Sequence, residues 1–212
     1  TDDRSPGWDR WDVLESVTCP PMVATEPPLI EARRRALATV RGRLERDEAR
    51  PGDRYLEGRA LVGLGLVDDG KAILLELSET NQDNVDMAVD SANLLDRAGE
   101  SVAALEIMRS LLQHQRGDPK ANEEYVRLLL EATRLDARDP EEALRQLRFL
   151  IDESSDEPER GAVTLRAYKV DALFALGLED EGTLELRQLA TDQPGDHRVE
   201  RRWRRYLDPS GN

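Results

Sequence analysis

From Leu29 onward the sequence alternates between one kind of segment and one kind of break, and that alternation restricts what the chain can fold into. The segments place core-facing positions three and four residues apart. Leu29, Ala32, Arg33, Ala36, Leu37, Val40 and Leu44 mark one face of a single helix. The breaks are glycines, or Asp followed by Pro. Arg50-Pro51-Gly52 ends the first helix, and Asp53 is placed to cap the next by accepting a first-turn N–H. Tyr55, Leu56, Ala60 and Leu64 form that helix's stripe, which ends at Gly65. Gly99, Gly177 and Gly195 separate later helices. Asp118-Pro119 and Asp139-Pro140 each set a capping Asp before a Pro at the first helical position, where no N–H is needed. The spacing predicts helices over 29–48, 53–65, 68–79, 83–98, 100–116, 119–136, 140–154, 158–176, 179–192 and 196–207. No segment shows strand alternation, so the fold class is all-α.

Composition sets the limits of the core. The chain is 39% hydrophobic and 35% charged but only 4% aromatic, so Leu, Ala and Val must fill the interior, beneath long helices with wide solvated faces. A net charge of −14 repels phosphate backbones and anionic headgroups, which removes nucleic acid and membranes as partners. It suits a neutral or basic protein segment, or serves solubility alone. Cys19 is the single cysteine, so no intramolecular disulfide framework can form. With His114 and His197 the only histidines, a zinc site is not expected, and no cofactor is. No apolar run approaches the roughly 20 residues that span a bilayer. Cys19 follows Ser16-Val17-Thr18 with no apolar stretch, unlike a lipoprotein anchor. No signal peptide is visible, and the missing initiator Met suggests a processed or shortened chain. The expected location is the cytoplasm, or the periplasm if a leader has been removed.

Three regions are expected: an irregular segment 1–28, a helical-repeat domain 29–207 and a short tail 208–212. Pro6, Pro20, Pro21, Pro27 and Pro28 prevent a long helix in the first. The same segment holds Trp8 and Trp11, and two readings fit them. They pack back on their own domain, burying aromatic area, or they form a linear motif for a partner.

The helices recur as pairs. The clearest pair reads Ala88, Ala92, Leu95, Gly99, then Ala104, Met108, Leu111. A second reads Leu173, Gly177, Gly182, Leu186, Leu189 and closes on Pro194. Ala60 with Ala72 and Ala132 with Ala143 mark two more. Aligned on Ala72, Ala104, Ala143 and Gly182, the spacings are 32, 39 and 39 residues. Small residues let paired helices approach closely, and the turn glycine reaches φ values that others resist. This pattern over 53–194 resembles the tetratricopeptide repeat, whose period is about 34 residues. Only one spacing is near that period, and aromatics are missing from most of the family's positions. The resemblance implies an α-solenoid of antiparallel helix pairs, a superhelix with a C-terminal capping helix; another solenoid or a bundle is the alternative.

Catalytic signals are sparse. Gly63-Leu64-Gly65 opens like a dinucleotide loop, but Asp68 stands where the next glycine is required and no strand precedes it. Asp83, Asn84 and Asp86 lack the glycine and distal Glu of a calcium loop, and helix capping explains them. His114 sits near a helix end, where a cation suits the dipole. In the last helix Arg198, Arg201, Arg202, Arg204 and Arg205 surround Val199, Trp203 and Tyr206. The apolar three are expected to dock as a terminal cap, with the arginines forming a small anion or nucleic-acid patch or pairing with the protein's own acids.

The resemblance further implies that the first helix of each pair lines a concave face. Asp86, Asp90, Asn93 and Arg97 then form one stripe, with Tyr168 and Asp171 as the matching positions in the fourth pair. The ordinary alternative is a solvated helix face. The family branch that grips carboxylate tails uses Lys, Arg and Asn there, whereas here two aspartates flank Asn93 and Arg97. The expectation is therefore a non-enzymatic scaffold or adaptor that binds a neutral or basic peptide. A self-assembling structural protein, or part of a larger regulatory or catalytic protein, is the alternative.

Overall fold

The structure is a computed structural model that describes residues 27–46, 48, 50, 52–153 and 161–208. Trp8, Trp11 and Cys19 lie outside the described residues. Ten α-helices and one 3-10 turn account for the regular structure among them, with no strand. The chain divides between Arg116 and Gly117 into two compact units.

The first unit contains α1 (Pro27–Glu45), α2 (Asp53–Gly63), α3 (Val67–Thr80), α4 (Val85–Arg97) and α5 (Ser101–His114). α1 packs on α2, α2 pairs with α3, and α4 pairs with α5; α3 also touches α5, and α2 touches α4. The stripe of α1 buries Ala36, Leu37 and Val40, and Leu37 joins Ala60, Leu61 and Ile73 in one cluster. Arg33 belongs to that stripe although it is charged. It is fully buried, and its Nη1 donates to the carbonyl of Gly63 at 2.5 Å, placing a cation at the C-terminal end of α2.

The second unit contains α6 (Pro119–Glu131), a 3-10 turn (Leu135–Ala137), α7 (Pro140–Glu153), α8 (Gly161–Ala175), α9 (Glu179–Asp192) and α10 (His197–Tyr206). α7 packs on α6 and α8, α8 pairs with α9, and α10 lies against both α8 and α9. Val126, Leu144, Leu147, Ala172 and Leu173 form one cluster; Val163, Ala167, Val170, Leu186, Leu189 and Val199 form the other.

Three of the hairpins turn in the same way. Gly65, Gly99 and Gly177 end their helices at φ 82°, 86° and 72°, where a side chain would strain the backbone. The N–H of each next residue (Leu66, Glu100, Leu178) returns to the carbonyl of Leu61, Leu95 or Leu173 at 3.0, 2.8 and 2.9 Å. Five residues after each turn glycine stands a small residue: Gly70, Ala104 and Gly182. The hydrogen bonds correct the register expected above. Gly70, not Ala72, is the equivalent of Ala104, and the first two hairpins are 34 residues apart. The physical reason is contact: a Cβ on Gly70 would lie 2.7 Å from the Gly58 carbonyl oxygen and 2.6 Å from Val62 Cγ2. Ala143 keeps its place as the fourth residue after its cap, its N–H reaching the Asp139 carbonyl at 3.0 Å.

Two local expectations are also corrected. Asp53 does not cap α2, since Gly52 holds that position; it is buried, accepting from Arg43 Nε and from the Arg50 N–H, both at 2.9 Å. The helix expected over 119–136 ends at Glu131. There Arg138 Nε takes the Ala132 carbonyl at 2.8 Å and the Asp139 N–H takes that of Leu129, so tertiary partners replace the next helical turn. The caps at Asp118, Asp139 and Asn84 form as expected, accepting from Ala121, Glu142 and Met87.

Candidate functional site

The common turn places α4 and α8 in one register, residue 99 matching residue 177. Asp86, Asp90, Asn93 and Arg97 of α4 thus correspond to Thr164, Tyr168, Asp171 and Ala175 of α8. The two faces belong to different units and have different surroundings.

On α4 the stripe faces outward. Asp86, Asp90 and Arg97 are exposed and Asn93 is half-buried, with its amide donating to the Val89 carbonyl at 3.1 Å. Behind it Ala88, Ala92 and Leu95 are buried against the core, so the helix has a strict inner and outer side. The surrounding segment is strongly acidic. Residues 67–100 carry nine carboxylates against Lys71 and Arg97, a balance of −7, half of the chain's −14. Lys71 is engaged by Glu100 at 2.9 Å and Asp68 at 3.1 Å, and those bonds raise its pKa. Asp96 is turned inward, accepting from the Ser101 hydroxyl at 2.6 Å. The potential over α4 is therefore set by exposed acids.

On α8 the same face is covered by α10. Arg198 Nη1 donates to Thr164 Oγ1 at 2.6 Å. Arg202 lies over the Tyr168 ring at 5.6 Å and donates to Asp171 Oδ2 from Nε at 2.8 Å and from Nη2. Tyr206 donates to Asp171 Oδ1 at 2.9 Å and stacks on Phe174, with centroids 4.0 Å apart. Asp171 thus does not lie on an open face: it is buried, and its carboxylate is committed to α10. Tyr168 is half-buried against the cluster around Leu173. Burial, reinforced by Glu131 and Glu123, pushes its phenol up to about 12; burial and then Asp171 do the same for Tyr206.

Of the apolar three expected to dock α10, Val199 and Tyr206 do so, while Trp203 stays 38% exposed. Arg202 is buried instead, because Asp171 needs a cation beside it. The reading in which these arginines pair with the protein's own acids holds for Arg198, bound to Asp196, and for Arg202. Arg201, Arg204 and Arg205 are exposed. Beside them a hollow of about 330 Å³ mixes Trp203, Val199 and Ala190 with Arg204, Glu200 and Asp208, opposite charges that select no one ligand.

Among the described residues no group of three or more His, Cys, Asp or Glu is placed to hold a metal ion. Among the same residues no helix is long and apolar enough to cross a membrane. No protein-family model, curated protein or solved structure matches the chain.

Proposed function

We propose that this chain is a protein-interaction module, a stack of tetratricopeptide-like helix pairs that holds a neutral or basic protein segment on the outer face of α4. The observation that carries the reading is the contrast between two equivalent helix faces. On α8 the face grips a helix through Thr164, Tyr168 and Asp171. On α4 the matching positions carry Asp86 and Asp90, both exposed, and the half-buried Asn93, so the equivalent face is more acidic. The 34-residue step between the first two hairpins, with small residues at 58 and 92 and again at 70 and 104, supports the family reading. The module works by adhesion, and its acidic field steers a cationic segment toward α4.

The test is a charge reversal on that face alone. Asp86→Lys with Asp90→Lys leaves the core untouched, so far-UV circular dichroism stays unchanged while partners captured from source-cell lysate are lost. Asp171 is not reversed, because it anchors α10. A reversed protein that captures the same partners at the same salt concentration removes the α4 face from the function.

A further inference from the structure

α10 has an uncovered side that its counterpart in the same unit keeps buried. The counterpart is α6, and the caps fix the common register. Asp118 and Asp196 each accept a first-turn N–H, and the N–H groups of Asn122 and Glu200 return to those two cap carbonyls at 3.1 and 3.0 Å. Asn122, Tyr125 and Val126 of α6 therefore correspond to Glu200, Trp203 and Arg204 of α10. On α6 all three are buried and α7 lies against them. Gln146 donates to Asn122 Oδ1 at 2.9 Å, and Val126 packs with Leu144 and Leu147. On α10 the same side is open. α8 and α9 meet this helix through Arg198, Arg202, Tyr206 and Val199, which leaves Glu200, Trp203 and Arg204 exposed.

The chemistry of that side is its own complement. Glu200 and Arg204 stand one turn apart with Trp203 between them, at the edge of the hollow of about 330 Å³ that Ala190 and Val199 also line. The ion pairs of α10 belong to Arg198 and Arg202, so among the described residues Glu200 and Arg204 are left unpaired. Such a mixture suits no simple anion or cation. It does suit a second copy turned about a two-fold axis, where residue i meets j and j meets i. We infer that α10 is the interface of a symmetric homodimer, two copies packing antiparallel on the Glu200–Trp203–Arg204 side. Glu200 faces the partner's Arg204, Arg204 faces the partner's Glu200, and the two Trp203 side chains meet beside the axis. The partner's helix then covers α10 as α7 covers α6. This interface is separate from the α4 site, which belongs to the other unit.

One helix side from each copy buries less than the ~1,600 Å² of a standard interface, so the dimer forms at high protein concentration. Sedimentation equilibrium of the full chain is the test. The weight-average mass is expected to rise with concentration from 23.9 kDa toward twice that value and no further. Trp203→Ala moves the association about tenfold to higher concentration. Glu200→Arg and Arg204→Glu each abolish it, because like charges then oppose one another. An equimolar mixture of those two single variants regains it, since both cross-pairs again join opposite charges. All three positions are exposed, so the variants keep the wild-type circular dichroism. A wild-type mass of 23.9 kDa at every concentration overturns the dimer. So does growth past two copies, which a closed two-fold interface does not give. Single variants that associate as the wild type does remove α10 from the interface, and a mixture that stays monomeric refutes the antiparallel pairing.

Discussion

Arg202 and Asp171 stand thirty-one residues apart in sequence and meet as a buried pair, both guanidinium bonds falling on Oδ2 while Tyr206 takes Oδ1. The two side chains are only 5% and 10% exposed, so each charge depends on the other. Asp171→Ala leaves a buried guanidinium without its counter-charge and is expected to cost about 3–5 kcal/mol. The loss concentrates in α10. Trp203 fluorescence should report an early transition that the wild-type protein lacks, with helicity elsewhere retained.

Close approach between α2 and α3 depends on Gly70, whose missing side chain leaves room for the Gly58 carbonyl and Val62. Because two of the three nearest atoms are backbone, repacking cannot relieve an added methyl. Gly70→Ala should destabilise the first unit by about 1–3 kcal/mol, lowering Tm by roughly 4–8 °C per kcal/mol for a unit of this size. Gly117 is the matched control. Nothing lies within 4 Å of its added Cβ and its φ is ordinary, so Gly117→Ala is expected to be neutral, or to stabilise by about 0.4–1 kcal/mol.

At Gly99 the constraint is the backbone itself. No atom lies within 4 Å of an added Cβ, yet φ is +86°. Gly99→Ala should therefore cost about 1–2 kcal/mol through the left-handed conformation alone, and Gly99→Asn measurably less. Chemical denaturation of the two variants checks the order; equal stabilities would remove the turn as the cause.

Acid and alkali are expected to act on the second unit. Burial works against the Glu185 carboxylate, but hydrogen bonds from Lys169 and Arg166 outweigh it and hold its pKa below the usual range. The Arg198 side chain does the same for Asp196. Carboxyls depressed in the folded state stabilise fully above their unfolded pKa, near 4, and that stability is lost as pH falls through the folded value. Tyr168 and Tyr206 behave inversely. Their phenols are raised to about 12, so the stability they carry is complete below pH of about 10 and disappears as pH rises through 12. Ultraviolet titration should show late ionisation by Tyr168 and Tyr206, each contribution removed in turn by Tyr168→Phe and Tyr206→Phe.

Much of this was legible in the sequence because helix ends are local events. Pro119 and Pro140, the Asp118, Asp139 and Asn84 caps, and the turn glycines place helix boundaries within a few residues of those observed. The α4 stripe was legible for the same reason, since one helix's periodicity fixes its own outer face. The repeat register was misread at Ala72 because alanine is the expected small residue; counting five from the turn glycine finds Gly70. The early end of α6 and the inward turn of Asp53 depend on Arg138 and Arg43, partners that periodicity does not reveal. Whether the α8 face is open depends on a helix that folds back from residue 197 onward, and no local pattern on α8 announces it.

The separation of Asp171 from Arg202 also has a meaning in time. A ribosome delivers the acid first and its counter-charge thirty-one residues later. Until then Phe174 lacks its stacking partner and the cluster around Val163 lacks Val199. A nascent chain arrested in that interval shows hydrated charge and uncovered carbon to every chaperone and protease it meets. Closure of α10 therefore hides the charge and the carbon in a single event.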